Sequence, residues 1–210
     1  HRLQECGTRQ CGAMSEGWGD FNAAMMALRE GDDLDGVYAM GTYASFDTTG
    51  FFSFRRVGYS TDMAKNALTF KHIMDAQPLP NSAPIAPNGI ENSESHNAGE
   101  VWAEVLWEAY IALHKAKSGS MTHAEIHRLM SDYVVGGLMA TGIDPTFTQT
   151  RDGMLLVAHA NDPADMVTLA TAFAERGFGT CAVSPALDAV GFAGVVEDFE
   201  LHTNGVMTGA

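Results

Sequence analysis

The sequence predicts a mainly α-helical fold, and three observations carry that expectation. Residues 95–117 place Val101, Trp102, Val105, Leu106, Ala109, Tyr110 and Leu113 at the three-to-four spacing of one helix face. Helix start signals recur at Ser95, Thr122, Asp144 and Asp162. The chain has 210 residues and is 46% hydrophobic, enough for one domain or one large lobe with a substantial core.

A first helix is expected over residues 13–30, where Trp18, Phe21, Met25, Met26 and Leu28 imply a buried face. Residues 31–94 lack a clear period and are rich in Gly, Ser, Thr, Asn and Pro, with a proline cluster from Pro78 to Pro87. So long an irregular stretch inside a compact domain carries function or disorder, and here it reads as a cleft-forming segment with short extended pieces. Ser95 can cap a helix running to about Lys117. Thr122 and Glu125 have the spacing of a capping box, for a helix reaching about Thr141. Asp144-Pro145 and Asp162-Pro163 each set an N-cap before a proline at the first helical position. The last helix should end near Gly177 and Gly179, as glycine C-caps do. The helical lobe is thus drawn over residues 1–181. Residues 182–210 form a tail, in which 194–201 read as a strand or part of a linker.

A net charge of −14 argues against nucleic acid and anionic membranes as partners. No apolar run is long enough to span a bilayer. The charge suits an exported protein and would favour basic peptides or divalent cations, although solubility alone accounts for it. Of the three cysteines, Cys6 and Cys11 are close in sequence and Cys181 is left over. A Cys6–Cys11 disulfide fits an oxidising compartment. A zinc pair fits less well, since neither lies in a CxxC motif.

The stretch Ser15-Glu16-Gly17-Trp18-Gly19-Asp20-Phe21 carries the most chemistry. Glu16 and Asp20, four residues apart, fall on one helix face, where like charges repel. A cation beside them reverses the sign of that interaction. One carboxylate can ligate zinc while the other orients a zinc-bound histidine. An exposed acidic helix start is the alternative. Gly17 and Gly19 each cost about 1 kcal/mol of helix propensity relative to Ala, which points to a packing or site constraint, and they allow another helix to come close. His96 opens the second helix, where it can donate to a developing oxyanion or serve as part of a cap; Glu91 and Glu94 are available to offset its charge. Arg55 and Arg56 form a basic pair, one of which could reach a substrate carbonyl, or both of which could pair with the many acids. His123 and His127 have metal-ligand spacing. A zinc-protease motif needs glutamate directly after the first histidine, and Glu125 comes two residues later, so this reads as a structural helix. HExxH occurs nowhere in the 210 residues.

Taken together, these motifs resemble the fungalysin family of secreted zinc metalloproteases, relatives of thermolysin. Glu16-Gly17-Trp18-Gly19-Asp20-Phe21 is similar to the family's E-G-W-[GS]-D-F, and Arg55 to Thr61 to R-x-Y-P-Y-S-T, with Val57-Gly58 in place of Tyr-Pro. Asn66 to Phe70 resembles N-P-L-T-[YF], and His96 to Ala103 resembles H-x-x-G-x-[VT]-W-A. Asp144 to Phe147 with Arg151-Asp152, and Phe173 to Gly179, match two further family motifs in order. The resemblance implies the helical C-terminal lobe of a thermolysin-like catalytic domain. It implies Glu16 as a zinc ligand, Asp20 as the acceptor that orients a zinc-bound histidine, and His96 as the catalytic residue stabilising the tetrahedral intermediate. It implies Arg55 as the substrate contact, bridging to Asp20, and Glu91 as the partner of His96. His1-Arg2-Leu3 resembles the segment just after HExxH, so the chain is expected to begin past that motif and to depend on an N-terminal lobe. The expected function is zinc-dependent hydrolysis of peptide bonds by the whole protein, outside the cell. The isolated chain is expected to be inactive, with zinc not retained. A non-catalytic helical module that binds peptides along residues 33–94 is the second reading.

Overall fold

The computed structural model describes residues 6–46, 54–80 and 89–202. His1-Arg2-Leu3, most of the Pro78–Pro87 cluster and the end of the tail lie outside the described residues. Among the described residues the regular elements are six α-helices and short 3-10 turns, with β-bridges but no strand. The mainly α expectation is met.

Helix α1 (Arg9–Ala27) begins four residues before the expected start, because the Thr8 hydroxyl caps it by accepting from the Cys11 N–H. Its first turn is anchored by Gln10, which is fully buried, donates to the Pro185 carbonyl at 2.9 Å and accepts from the Phe147 N–H. The Cys6–Cys11 disulfide closes onto the same turn. Residues 28–94 contain a short helix, α2 (Thr42–Ser45), a 3-10 turn (Phe70–Ile73) and a bridge between Tyr38 and Tyr59. This segment does more than line a cleft: Val57, Tyr59, Leu68, Phe70 and Ile73 are core residues.

Helix α3 (Ser95–Lys117) is the axis of the molecule. Its N-cap is Glu94 rather than Ser95; the Glu94 carboxylate accepts from the His96 and Asn97 N–H groups. A carboxylate there meets the helix dipole as well as the free donors. Helix α4 (His123–Ala140) has the expected Thr122/Glu125 capping box. Helix α5 (Phe147–Asn161) starts at a different cap from the expected one. Asp144 takes a left-handed backbone and accepts from the Gly7 N–H, which leaves Thr146 as the N-cap. Helix α6 (Pro163–Glu175) has Asp162 and Pro163 in the expected roles. It ends in a Schellman turn: Phe178 N–H bonds Phe173 C=O and Gly177 N–H bonds Ala174 C=O, each at 2.9 Å, with Gly177 at φ 82°.

Four helix contacts hold the layers together: α3 packs against α1 and against α6, and α5 against α4 and against α6. Between α3, α5 and α6 sits an aromatic block of Trp102, Phe147, Phe173, Phe178 and Phe70. The 182–202 stretch packs back onto it through buried Phe192, 6.1 Å from the Phe147 ring. The expected strand at 194–201 reduces to two isolated bridges, Phe178 with Asp198 and Val183 with Val196. Their partner segment turns too soon to support a ladder. Inside the core, α3 carries Glu100, Glu104 and Glu108 on successive turns, all buried. Glu100 pairs with Arg56 at 3.0 Å, and Glu104 and Glu108 both pair with Arg176 at 2.9 and 2.8 Å. The two arginines also donate to backbone carbonyls of Asn97, Asn66 and Ser60, so they fasten irregular chain to the central helix.

The crossing of α1 and α3 depends on glycine. A methyl group at Gly17 would run into the Gly99 carbonyl oxygen, and one at Gly99 would lie 2.6 Å from the Ala13 carbonyl oxygen and 3.0 Å from the Gly17 nitrogen. Gly19 has nothing within 4 Å. Gly17→Ala should therefore destabilise the fold by about 3 kcal/mol, whereas Gly19→Ala should stabilise it by about 1 kcal/mol through helix propensity; urea midpoints of the two variants check this.

His72 gives the fold a pH limit. Its Nδ1 accepts from the Thr69 N–H at 2.8 Å, and burial, aided by Lys71, pushes the ring down to about 4. Between pH 6.5 and 4 the unfolded chain binds more protons at this site than the native one, so stability is whole above pH 6.5 and is lost as the pH falls. The loss from this group should reach roughly 3 kcal/mol at pH 4. His72→Asn keeps an acceptor for the Thr69 N–H and should flatten that part of the stability-against-pH curve.

Candidate active site

The α1–α3 crossing decides where the site forms. Glu16 precedes Gly17 on α1 and His96 lies one turn before Gly99 on α3, so the close backbone approach brings their side chains together at one end of the crossing. The His96 Nε2 lies 3.3 Å from a Glu16 carboxylate oxygen, and each side chain is 42% exposed. The other ring nitrogen, Nδ1, lies 2.8 Å from Glu94. Burial opposes charge on Glu94, yet the His96 ring and the N–H groups of Asn97 and His96 hold its carboxyl below the usual value. The partner of His96 is therefore Glu94 and not Glu91, whose carbonyl instead accepts from the Asn97 side chain. The cap position brings the Glu94 carboxylate back over the first turn, within reach of the ring.

One turn along α1, Asp20 is buried and doubly engaged by Arg55, Nε to one oxygen and Nη2 to the other at 2.8 Å. The Tyr59 hydroxyl donates to the same carboxylate. Two such donors make a fork that fixes the carboxylate plane. Burial opposes the Arg55 charge, and Asp20 more than offsets this, raising the guanidinium above its ordinary value; the fully buried Tyr59 hydroxyl is pushed up by burial and by Asp20. The bridge from Arg55 to Asp20 is thus present. Arg56, its neighbour in sequence, faces the other way into the core.

All four residues expected at the site, Glu16, Asp20, Arg55 and His96, lie along this one stretch of α1. The His123 and His127 pair does not join them. His123 bridges His114 at 3.0 Å and the Leu28 carbonyl at 3.2 Å, and Glu125 is spent on its capping box.

The description of the fungalysin metallopeptidases (M36) matches residues 2–182 of the chain. The chain belongs to the fungalysin family. It is 31% identical over 182 residues to the extracellular metalloproteinase mep of Aspergillus terreus, an alignment covering 81% of this chain and 25% of that protein. It is 29% identical over 180 residues to the probable extracellular metalloproteinase 3 of Trichophyton verrucosum, with the same coverage. The chain thus spans about a quarter of the length of these relatives.

A metallopeptidase family implies a metal, and the residues of this fungalysin member fit one ligand position rather than a whole centre. The Glu16 carboxylate is open on one side, but among the described residues no set of three histidine, cysteine or carboxylate ligands gathers around it. A catalytic zinc takes three protein ligands. One residue of the site escaped sequence reasoning. Tyr59 lies inside a recognised motif but has no side-chain charge to draw attention. Glu94 was legible as a carboxylate near His96, and only the cap geometry separates it from Glu91.

The Asp20 cluster can be checked by stability. Tyr59→Phe should cost about 2 kcal/mol, the worth of a buried bond to a charged group. Asp20→Ala should cost about 3 kcal/mol or more, because it leaves Arg55 buried without its counter-ion. The double variant should cost less than the sum, since both changes remove one shared contact.

Proposed function

We propose that this chain forms one wall of the active site of a secreted zinc endopeptidase. The observation that supports this best is the meeting of Glu16 and His96 from two helices on an open face, above a buried Asp20–Arg55–Tyr59 cluster. In this reading Glu16 supplies one zinc ligand and Asp20, held in plane by Arg55 and Tyr59, orients a histidine that also binds the metal. Zinc, when bound, would polarise the peptide carbonyl and activate water. His96 has its Nδ1 hydrogen committed to Glu94, so its Nε2 carries a hydrogen when the ring is the imidazolium. That Nε2–H would donate to the oxyanion as the carbonyl carbon becomes tetrahedral. Arg55 keeps donors beyond those spent on Asp20, and we assign one to a substrate carbonyl. The rest of the centre, two histidines and a general base in an HExxH motif, would come from an N-terminal lobe. The names of the relatives and the disulfide both favour an extracellular setting.

The test joins residues 2–182 to the preceding part of the Aspergillus terreus relative in place of its own matching region. The isolated chain should leave casein intact, and the chimera should hydrolyse it in a zinc-dependent way. In the chimera, Glu16→Gln should release zinc, and His96→Ala should lower kcat about 100-fold with little change in KM. Casein hydrolysis by the isolated chain, or full kcat in the His96→Ala chimera, sinks the assignment. Peptide binding by the isolated chain that survives both substitutions would favour the non-catalytic module instead.

A further inference from the structure

Far from Glu16 in sequence, the structure gathers a second set of ligand-type side chains. The Cys181 sulfur, an Asp198 carboxylate oxygen and a His202 ring nitrogen lie within 4.8 Å of one another, the one such set among the described residues. We propose that Cys181, Asp198 and His202 bind a single zinc ion, separate from any ion at Glu16.

Three features go beyond proximity. First, the ligand types are complementary: a thiolate, an imidazole and a carboxylate together suit a borderline-soft cation that takes tetrahedral sites, which is zinc before calcium or magnesium. Second, the His202 Nε2 stands 3.5 Å from Asp198 Oδ2. That is too long for a good hydrogen bond. It is close to the edge of about 3.3 Å between nitrogen and oxygen ligands on a tetrahedral zinc with bonds of about 2.0 Å. Third, the other nitrogen, Nδ1, has the Glu200 carboxylate nearby at 3.7 Å, beyond hydrogen-bond length as it stands and needing only a small side-chain rotation to close. A metal-bound histidine takes a carboxylate at that position to fix its tautomer. Cys181 is exposed and its sulfur is free, so an ion can reach the set from solvent, and water can fill the fourth position.

The backbone presents these side chains without help from an ion. The Cys181 N–H donates to Asp198 Oδ2 at 2.6 Å, and the His202 N–H donates to the Thr180 hydroxyl at 3.1 Å. The Gly179 and Thr180 N–H groups bond the Asp198 and Glu200 carbonyls at 2.7 and 3.1 Å. A side chain at Gly179 would lie 2.5 Å from the Asp198 carbonyl oxygen, so the two segments touch there. Each Asp198 oxygen retains a lone pair for a metal after accepting one N–H. Zinc binding forms a sulfur–zinc bond, and the thiol proton leaves to solvent. The ion would staple the 196–202 stretch to the turn that follows α6.

The test titrates the 210-residue chain, with Cys181 verified as a free thiol, against zinc and against cobalt as a spectroscopic stand-in. One equivalent should bind, with a thiolate-to-cobalt charge-transfer band. At zinc 100-fold over Kd the melting temperature should rise by about 5 °C or more. Cys181→Ser should abolish the band, and His202→Asn should weaken binding at least tenfold. Glu16→Gln should change neither, which separates this site from the proposed catalytic one. The proposal is overturned if no ion binds, if the band survives in Cys181→Ser, or if Glu16→Gln abolishes binding. The last result would transfer the ion to the active-site wall and leave the reading of that wall intact.

Discussion

Gly17 and Gly99 let the backbones of α1 and α3 touch, and the rest of the structure is arranged around that contact. With side chains at either position the helices would stand farther apart, at the 8–10 Å typical of packed helices or more. Glu16 and His96 would then no longer meet, since each is tied by sequence to one of the two glycines. The same approach seals Trp18 against Trp102, ring centroids 5.6 Å apart, and so joins the chemistry-bearing motif to the aromatic block behind it. A packing constraint and a site constraint are here one feature.

The second support is ionic and buried. Charges are seldom placed in a core, because desolvation opposes them unless each is paired and hydrogen-bonded. Helix α3 holds three carboxylates on one stripe, and burial raises all three toward the neutral form. Arg56 and Arg176 oppose that by direct pairing, and the remaining donors of Arg176 reach the Asn66 and Ser60 carbonyls, in chain that has no regular structure. This explains how residues 54–80 can be largely irregular and yet supply core residues. Their backbone groups find partners in arginine rather than in a ladder. Arg55 and Arg56, adjacent in sequence, part company at a bend, one turning toward Asp20 at the site and one into the core beside Glu100.

Helix starts were legible wherever the signal was a local exchange of hydrogen bonds. Thr122 with Glu125 and Asp162 with Pro163 behaved as their spacing implied. Ser95 and Asp144 did not: beside Ser95 the Glu94 carboxylate is a rival acceptor that reaches two N–H groups at once, and Asp144 is drawn off by a distant donor, the Gly7 N–H. Among glycines, Gly17 and Gly19 looked alike in sequence, and only the partner helix tells them apart. The stripe of Glu100, Glu104 and Glu108 stands at helical spacing, but nothing local marks it as buried, because the arginines that pair with it come from 44 and 68 residues away or more.

The sequence by itself determined the helical class, the order of the motifs and the family to which they belong, because helix periodicity, caps and short motifs are properties of neighbouring residues. Tertiary structure alone decided which carboxylate holds His96, which glycine is a contact, that Tyr59 completes the Asp20 fork, and that Cys181 stands beside Asp198 and His202. Those outcomes depend on distances between segments far apart in the chain, and such distances are set by how whole faces pack, which no local pattern encodes.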